Sequence, residues 1–296
     1  MKYALFVGCS TQVREISYEI ATRKVFGELG IELVNVDDFS CCSPVCLVHG
    51  VDYVTGLALT ARNICLAEEL NLKMLTLCAS CFETLSKTNG LLKKDPRLRS
   101  EVNEILVAAN RKFKGTTEVT HVVKALYEEV GLDKLKAAVK RPLNDLKVAT
   151  FYGCHLIRPH DFVEFDDPES PTVLDNLVET LGAKSVYYDQ KKGCCIGCGA
   201  FFGGVSEEIA LELNHRLMKS LGDTKVDCLV TTCPFCFFRF DMGQLQIADK
   251  WGEHYDIPVL FYVQLLGLAM KLSPQDLGLS LHRVNTRPLL EKLNAV

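Results

Sequence analysis

Ten of the 14 cysteines in this 296-residue chain fall into two copies of one arrangement: a single cysteine, then an adjacent pair, then a C-x-x-C. The first copy is Cys9, Cys41-Cys42 and Cys78-Ala79-Ser80-Cys81; the second is Cys154, Cys194-Cys195 and Cys233-Pro234-Phe235-Cys236. Adjacent cysteines bridge each other poorly, because their Cβ atoms point apart along extended backbone. Thiolates grouped in this way suit a metal. A zinc site takes four ligands in a tetrahedron, whereas each copy offers five cysteines. Iron–sulfur clusters take thiolates on several irons, so neighbouring cysteines can serve different irons. The ligand count therefore favours an iron–sulfur cluster in each copy, with zinc as the alternative, chiefly at the first. The tight C-x-x-C-x-x-C run of bacterial ferredoxins is absent. Each cluster must be assembled from distant segments, and electrons must arrive from a partner.

The elements that position these thiols are legible from the apolar pattern. Residues 3–8 read as a strand ending at Gly8-Cys9, Ser17 to Leu29 as a helix stopped at Gly30, and Ile31 to Val36 as the next strand. Strand, helix, strand requires a crossover and favours a parallel sheet. Cys41-Cys42-Ser43-Pro44 falls in the following loop, Thr55 to Leu70 is an amphipathic helix, and Lys73 to Leu77 is a strand that delivers Cys78. Residues 82–114 read as mostly helical, followed by a strand over Glu118 to Val123 and a helix over Lys124 to Val130. The second half repeats the order: strand Val148 to Tyr152 before Cys154, helix Thr172 to Leu181, and strand Ser185 to Tyr188 before the loop of Cys194-Cys195. Helix Glu207 to Leu221, strand Cys228 to Thr232 before Cys233, and strand Pro258 to Tyr262 follow. The expected fold is α/β, with two similar domains from an internal duplication, residues 1–145 and 146–296, each a mainly parallel sheet flanked by helices. The polar segment Ala138 to Asp145 divides them. Ligands of open α/β sheets gather beyond the carboxyl ends of the strands, so each sheet is expected to hold one metal site at that edge.

With 48% hydrophobic residues the chain can bury a large core, and a net charge of −4 argues for neither nucleic acid nor an anionic membrane surface. The N-terminal apolar run is too short for a signal peptide. The run Ile257 to Met270 falls short of the roughly 20 residues that span a bilayer. A cytoplasmic protein is expected, and in that reducing compartment clustered cysteines bind metal rather than form disulfides. The stretch Gly197 to Gly204 lacks the G-x-G-x-x-G spacing and the P-loop lysine. It reads as flexible backbone close to a cluster, which leaves nucleotide hydrolysis without support. Cys46 and Cys198 each follow a cysteine pair closely, as supporting thiols or as plain packing. Cys65 and Cys228 read as buried small apolar residues on a helix and a strand.

The doubled arrangement, the segment Tyr152-Gly153-Cys154-His155, the segment Cys233-Pro234-Phe235-Cys236-Phe237 and the run Gln264-Leu265-Leu266-Gly267-Leu268-Ala269 together resemble the B subunits of heterodisulfide reductases, in the family named for its Cys-Cys-Gly domains. The glycine of that name is Ser43 in the first copy and Ile196 in the second. The resemblance implies a non-cubane [4Fe-4S] cluster on the five cysteines of each unit. It implies as substrate the mixed disulfide of coenzyme M and coenzyme B, which is reduced to two thiols. Electrons would come from a ferredoxin-like C subunit fed by a flavoprotein A subunit, with a hydrogenase or formate dehydrogenase as a further partner. His155 and Arg158, which follow Cys154, are candidate contacts to an anionic substrate tail or proton donors to a departing thiolate. Both also read as ordinary loop residues, and His49, Lys191, Lys192 and Arg239 are weaker candidates on the same ground.

Disulfide reduction takes two electrons, and a typical cluster passes one at a time. Two sites facing one substrate across the domain interface answer that need. The rival readings are an iron–sulfur electron-transfer subunit of another oxidoreductase complex (fumarate, lactate, glycolate or sulfur metabolism) and a zinc-stabilised assembly scaffold.

Overall fold

The structure is a computed structural model and describes residues 1–44, 48–201 and 204–295. It contains two four-stranded sheets, every strand pair parallel. The first has β1 (Lys2–Phe6), β2 (Glu32–Val34), β3 (Lys73–Thr76) and β4 (Val119–His121) in the order β2-β1-β3-β4. The second has β5 (Lys147–Phe151), β6 (Lys184–Val186), β7 (Cys228–Thr231) and β8 (Val259–Phe261) in the order β6-β5-β7-β8. The internal duplication of the sequence is thus a duplication of topology. β1 and β5 show the same burial, an exposed lysine followed by four buried residues, because helices cover both faces of a parallel sheet and leave no polar side.

Long helices pack on each sheet and carry ordinary start signals. Asp52 caps the Tyr53–Glu69 helix by accepting the amide of Thr55 at 3.0 Å, and Ser206 caps Glu207–Gly222 by accepting that of Ile209 at 3.3 Å. The core lies between these helices and the sheets, with Ala4, Leu75, Val25 and Ile64 buried in the first half and Ala149, Val230, Leu177 and Leu221 in the second.

One expectation holds, with a break inside it, and one is corrected. The helical stretch expected over residues 82–114 is two helices, Ala79–Lys94 and Pro96–Leu106, with a short 3₁₀ turn to Ala109. Asn110 then turns left-handed at φ 52°, and the amides of Lys114 and Thr116 bond to the carboxylate of Glu68 instead of continuing the helix. The glycine-rich stretch expected as flexible backbone begins with a short helix, Gly197–Phe201. The amide of Ala200 bonds the carbonyl of Ile196 across that turn.

The two halves pack against each other through the carboxyl ends of their sheets. Tyr18, fully buried, stacks on Phe261 at 3.8 Å between ring centroids, and Phe261 stacks on Phe237 at 4.4 Å. The Tyr18 hydroxyl donates to the carbonyl of Thr232 at 3.1 Å, and His121 Nε2 lies 3.2 Å from the same oxygen. Thr232 directly precedes Cys233, so the corner that carries that thiol is held by two residues of the other half.

Candidate metal centre

Each single cysteine is placed by a glycine. β1 ends at Phe6 and β5 at Phe151, and the chain turns through Gly8 (φ 81°) and Gly153 (φ 74°) before Cys9 and Cys154 open short helices. A Cβ on Gly8 would meet Cys81 Sγ at 3.3 Å, and one on Gly153 would meet Cys236 Sγ at 3.4 Å. Glycine is required twice over at both positions, by the positive φ and by the close approach of a thiol.

The C-x-x-C segments sit at helix starts. Cys78 is the N-cap of Ala79–Lys94 and Cys233 that of Pro234–Trp251, which begins with a proline at its first position. One turn on, Cys81 and Cys236 point back toward the strand ends. The cysteine pairs lie in the loops after β2 and β6, and the residue after each pair is left-handed: Ser43 at φ 53° and Ile196 at φ 57°. Glycine is absent from both places, yet the backbone keeps the conformation that glycine favours. This bend aims amide groups at sulfur: the N–H of Ile196 donates to Cys194 Sγ at 3.3 Å and that of Gly197 to Cys195 Sγ at 3.4 Å. The N–H of Ser43 does the same for Cys41.

These segments surround two small cavities of similar size. One is lined by Cys9, Cys41, Cys42, Cys78 and Cys81, the other by Cys154, Cys194, Cys195, Cys233 and Cys236. All ten thiols of the doubled arrangement are accounted for, five to a cavity. Sulfur separations across the second are 3.9 Å for Cys154–Cys194 and 3.1 Å for Cys195–Cys236. In each cavity three thiols on the inner side are buried, whereas Cys9, Cys41 and Cys194 are exposed and Cys154 is half-buried. The inner sides touch, with Cys78 Sγ and Cys233 Sγ 3.8 Å apart. Ser80 and Phe235 line both cavities.

Thiols this close share their protons. Cys41 is pulled down to about 2 by hydrogen bonds from Cys42 and Cys9, both of which are pushed up in turn. Cys194 falls to about 6 through the hydrogen bond from Cys154, and Cys233 is held low by those from Cys236 and Cys78. Ionising all five thiols of one cavity needs compensating positive charge inside it. Among the described residues no three His, Cys, Asp or Glu side chains converge on a point that would hold one metal ion. A group larger than one ion, positively charged and thiophilic, matches five thiols spread around a cavity, and an iron–sulfur cluster has those properties.

Among the other candidates, His155 lines the second cavity. Its Nδ1 is 3.7 Å from Oε2 of the buried Glu83, which belongs to the first half, and its Nε2 is 3.8 Å from Cys198 Sγ. Cys198 lines the same cavity. Arg158 turns away, donating to the carbonyl of Pro168 at 2.5 Å and pairing with Glu169 at 3.3 Å. Lys191 pairs with Asp175, Lys192 with Glu169, and the buried Arg239 donates to both oxygens of Glu207. His49 lies 3.4 Å from the Thr60 hydroxyl. None of these five lines a thiol cavity. Cys65 and Cys228 are buried on a helix and a strand, away from both cavities. Cys46 lies outside the described residues. Sequence reasoning passed over Ser80, Phe235, Glu83, Tyr18 and His121; only Ser80 and Phe235 carried a signal, as the third residues of the two C-x-x-C segments.

Two stretches, residues 3–86 and 148–241, match the family model described as a cysteine-rich domain, CCG. The chain belongs to that family. It is 41% identical to the B subunit of the ferredoxin:CoB-CoM heterodisulfide reductase of Methanosarcina mazei, over 99% of this chain and 97% of that protein. It is 33% identical to the 8-methylmenaquinol:fumarate reductase membrane anchor subunit of Wolinella succinogenes, over 94% of this chain and 95% of that one. The solved structure of a hypothetical protein from Helicobacter pylori superposes with a TM-score of 0.77 at 17% identity. It covers 96% of this chain, which spans about half (52%) of that longer one, and the likeness speaks to the fold alone. This CCG-family chain is therefore related to oxidoreductase subunits, and no helix among its described residues is long and apolar enough to cross a membrane.

Proposed function

We propose that the chain is the catalytic, cytoplasmic subunit of a heterodisulfide reductase, reducing the mixed disulfide of coenzyme M and coenzyme B between two thiolate-held [4Fe-4S] clusters. The observation that carries this reading is the contact of the two thiol cavities, with Cys78 and Cys233 3.8 Å apart and Ser80 and Phe235 common to both. A single closed metal site would serve a scaffold equally well; two abutting five-thiol sites have no structural need to touch. Cys9, Cys41, Cys42, Cys78 and Cys81 would hold one cluster and Cys154, Cys194, Cys195, Cys233 and Cys236 the other, in the non-cubane form that the family resemblance implies. When bound, such clusters supply electrons one at a time.

The reaction balances as R–S–S–R′ + 2 e⁻ + 2 H⁺ → R–SH + R′–SH. The S–S bond breaks, and the electrons come from a ferredoxin-like C subunit fed by a flavoprotein A subunit, with a hydrogenase or formate dehydrogenase upstream. The chain's own residues shape where this happens. The buried inner thiols and the Tyr18–Phe261–Phe237 stack keep water from the seam, and His155, held through Nδ1 by Glu83, presents a protonatable ring to the second cavity.

The test is iron, acid-labile sulfide and zinc per chain on anaerobically purified protein, together with disulfide turnover driven by a reduced viologen. About eight irons with matching sulfide, and turnover, are expected for two four-iron groups. One zinc with about four irons would end the paired-site reading. A second reading, a subunit of a quinol-linked fumarate reductase, is favoured by the Wolinella succinogenes relative. Full iron with no disulfide turnover and quinol-dependent activity with the partner subunits would select it.

A further inference from the structure

The two C-x-x-C segments hold equivalent places in the two halves, and their third residues differ in chemistry: Ser80 in one, Phe235 in the other. Each directly precedes a buried thiol, each is itself buried (2% and 7% exposed), and each lines both cavities. The residues common to the two linings thus include one hydroxyl-bearing and one aromatic residue, although equivalent segments of the two halves supply the thiols. The backbone of Phe235 is tightly confined. A Cβ on Gly197 would meet the Phe235 carbonyl oxygen at 2.8 Å and its Cβ at 3.0 Å, so the segment after Cys194-Cys195 is laid directly on this residue.

We infer that Ser80 and Phe235 are a specificity-determining pair that orients an unsymmetrical dialkyl disulfide between the two sites; the inference rests on the disulfide-reducing reading above. A polarisable sulfur at the edge of an aromatic ring gains a contact worth about two- to tenfold in binding. Phe235 supplies that contact, together with apolar surface for the neighbouring methylenes. It offers no hydrogen-bond donor, so a thiolate formed beside it is desolvated and leaves as the protonated thiol. The Ser80 hydroxyl instead donates to the sulfur next to it and favours its charged form. The more acidic and more polar thiol of a mixed disulfide thus faces Ser80, and the longer apolar chain faces Phe235.

Three probes test this: the mixed disulfide of a short anionic alkanethiol and a long-chain alkanethiol, and the two corresponding symmetric disulfides. Binding to the oxidised, iron-loaded chain is followed by calorimetry without an electron donor, and turnover is followed with reduced viologen. The wild type is expected to bind the mixed disulfide most tightly. Phe235→Ala, at unchanged iron content, should narrow that preference about tenfold, chiefly through KM, whereas Ser80→Ala should lower kcat about threefold at constant KM. If Phe235→Ala loses iron, Phe235→Leu fills the same space without a ring face and should narrow the preference two- to fivefold. An unchanged binding preference in a Phe235 variant with full iron overturns the inference. A wild type that binds and turns over none of the three disulfides at full iron overturns the disulfide reading itself, and the pair's role with it.

Discussion

Replacing Glu15 by glutamine should stabilise the protein at pH 8 and leave it unchanged at pH 4.5. Glu15 lies in the turn between the helices Cys9–Val13 and Ile16–Glu28, 3% exposed, and faces Asp241 of the Pro234–Trp251 helix and Arg283 of the C-terminal segment. Arg283 Nη1 is 3.8 Å from Glu15 Oε1 and 3.5 Å from Asp241 Oδ2. Asp241 also accepts the amides of Arg283 and Val284, whereas Glu15 Oε1 has no hydrogen-bond partner. One guanidinium thus serves two buried carboxyls. Burial pushes Glu15 up from 4.5 to about 7 against the attraction of Arg283; repulsion from Asp241 adds to the rise and Arg14 opposes it. At about 1.36 kcal/mol per unit this corresponds to roughly 3 kcal/mol, reduced to about 2 kcal/mol because local relaxation and water penetration soften the penalty of burying the carboxylate. The sign follows from the protons bound. Between pH 4.5 and 7 the unfolded chain has lost the proton and the folded chain keeps it, so stability falls as pH rises through that window and is level above it. Glu15→Gln removes this titration. Denaturant unfolding under anaerobic conditions across pH 4.5 to 8 should show the variant about 2 kcal/mol more stable at the upper end. An identical pH slope in the two proteins would refute the reasoning.

Three further outcomes are expected. Cys233→Ser or Cys236→Ser should lose about half the iron and all disulfide turnover; turnover retained with one loaded site would sink the paired-site mechanism. Ile196→Gly should keep full iron and gain about 1 kcal/mol, since a β-branched residue at φ 57° is strained by roughly 1–2 kcal/mol and glycine is not; a lower melting temperature would show that the Ile196 side chain matters more than its backbone. Tyr18→Phe alone should cost about 1 kcal/mol or less, because the Thr232 carbonyl keeps His121. Tyr18→Phe with His121→Phe should cost more than the sum, about 2–3 kcal/mol, as that buried carbonyl loses both partners. Additive losses in unfolding measurements would mean that the two contacts act independently.

The positions of the thiols were legible because two local rules locate them. Buried parallel strands read as apolar runs, and the residue just past such a run lies at the ligand-binding edge of the sheet. Cys9, Cys78, Cys154 and Cys233 could be placed there with no knowledge of tertiary contacts. Glycine's part was only half visible: Gly8 and Gly153 stand before the single cysteines in sequence, but Ser43 and Ile196 conceal left-handed turns that residue type does not announce. The stretch from Gly197 misled for the opposite reason, since a glycine that suggests a flexible loop lets a helical turn lie against Phe235.

The amino-acid sequence by itself determined the duplication, the parallel sheets and which ten cysteines belong in which set of five, because each of these depends on spacing along the chain. Only the tertiary structure decided that the two sets abut at Cys78 and Cys233, that Arg158 is turned to Glu169 while His155 faces a cavity, and that Ser80 and Phe235 stand in the wall between the sites. Those facts depend on how one sheet edge packs against another. That packing rests on contacts between residues more than 100 positions apart, Tyr18 and His121 with Thr232 among them, and no local pattern of residue types encodes them.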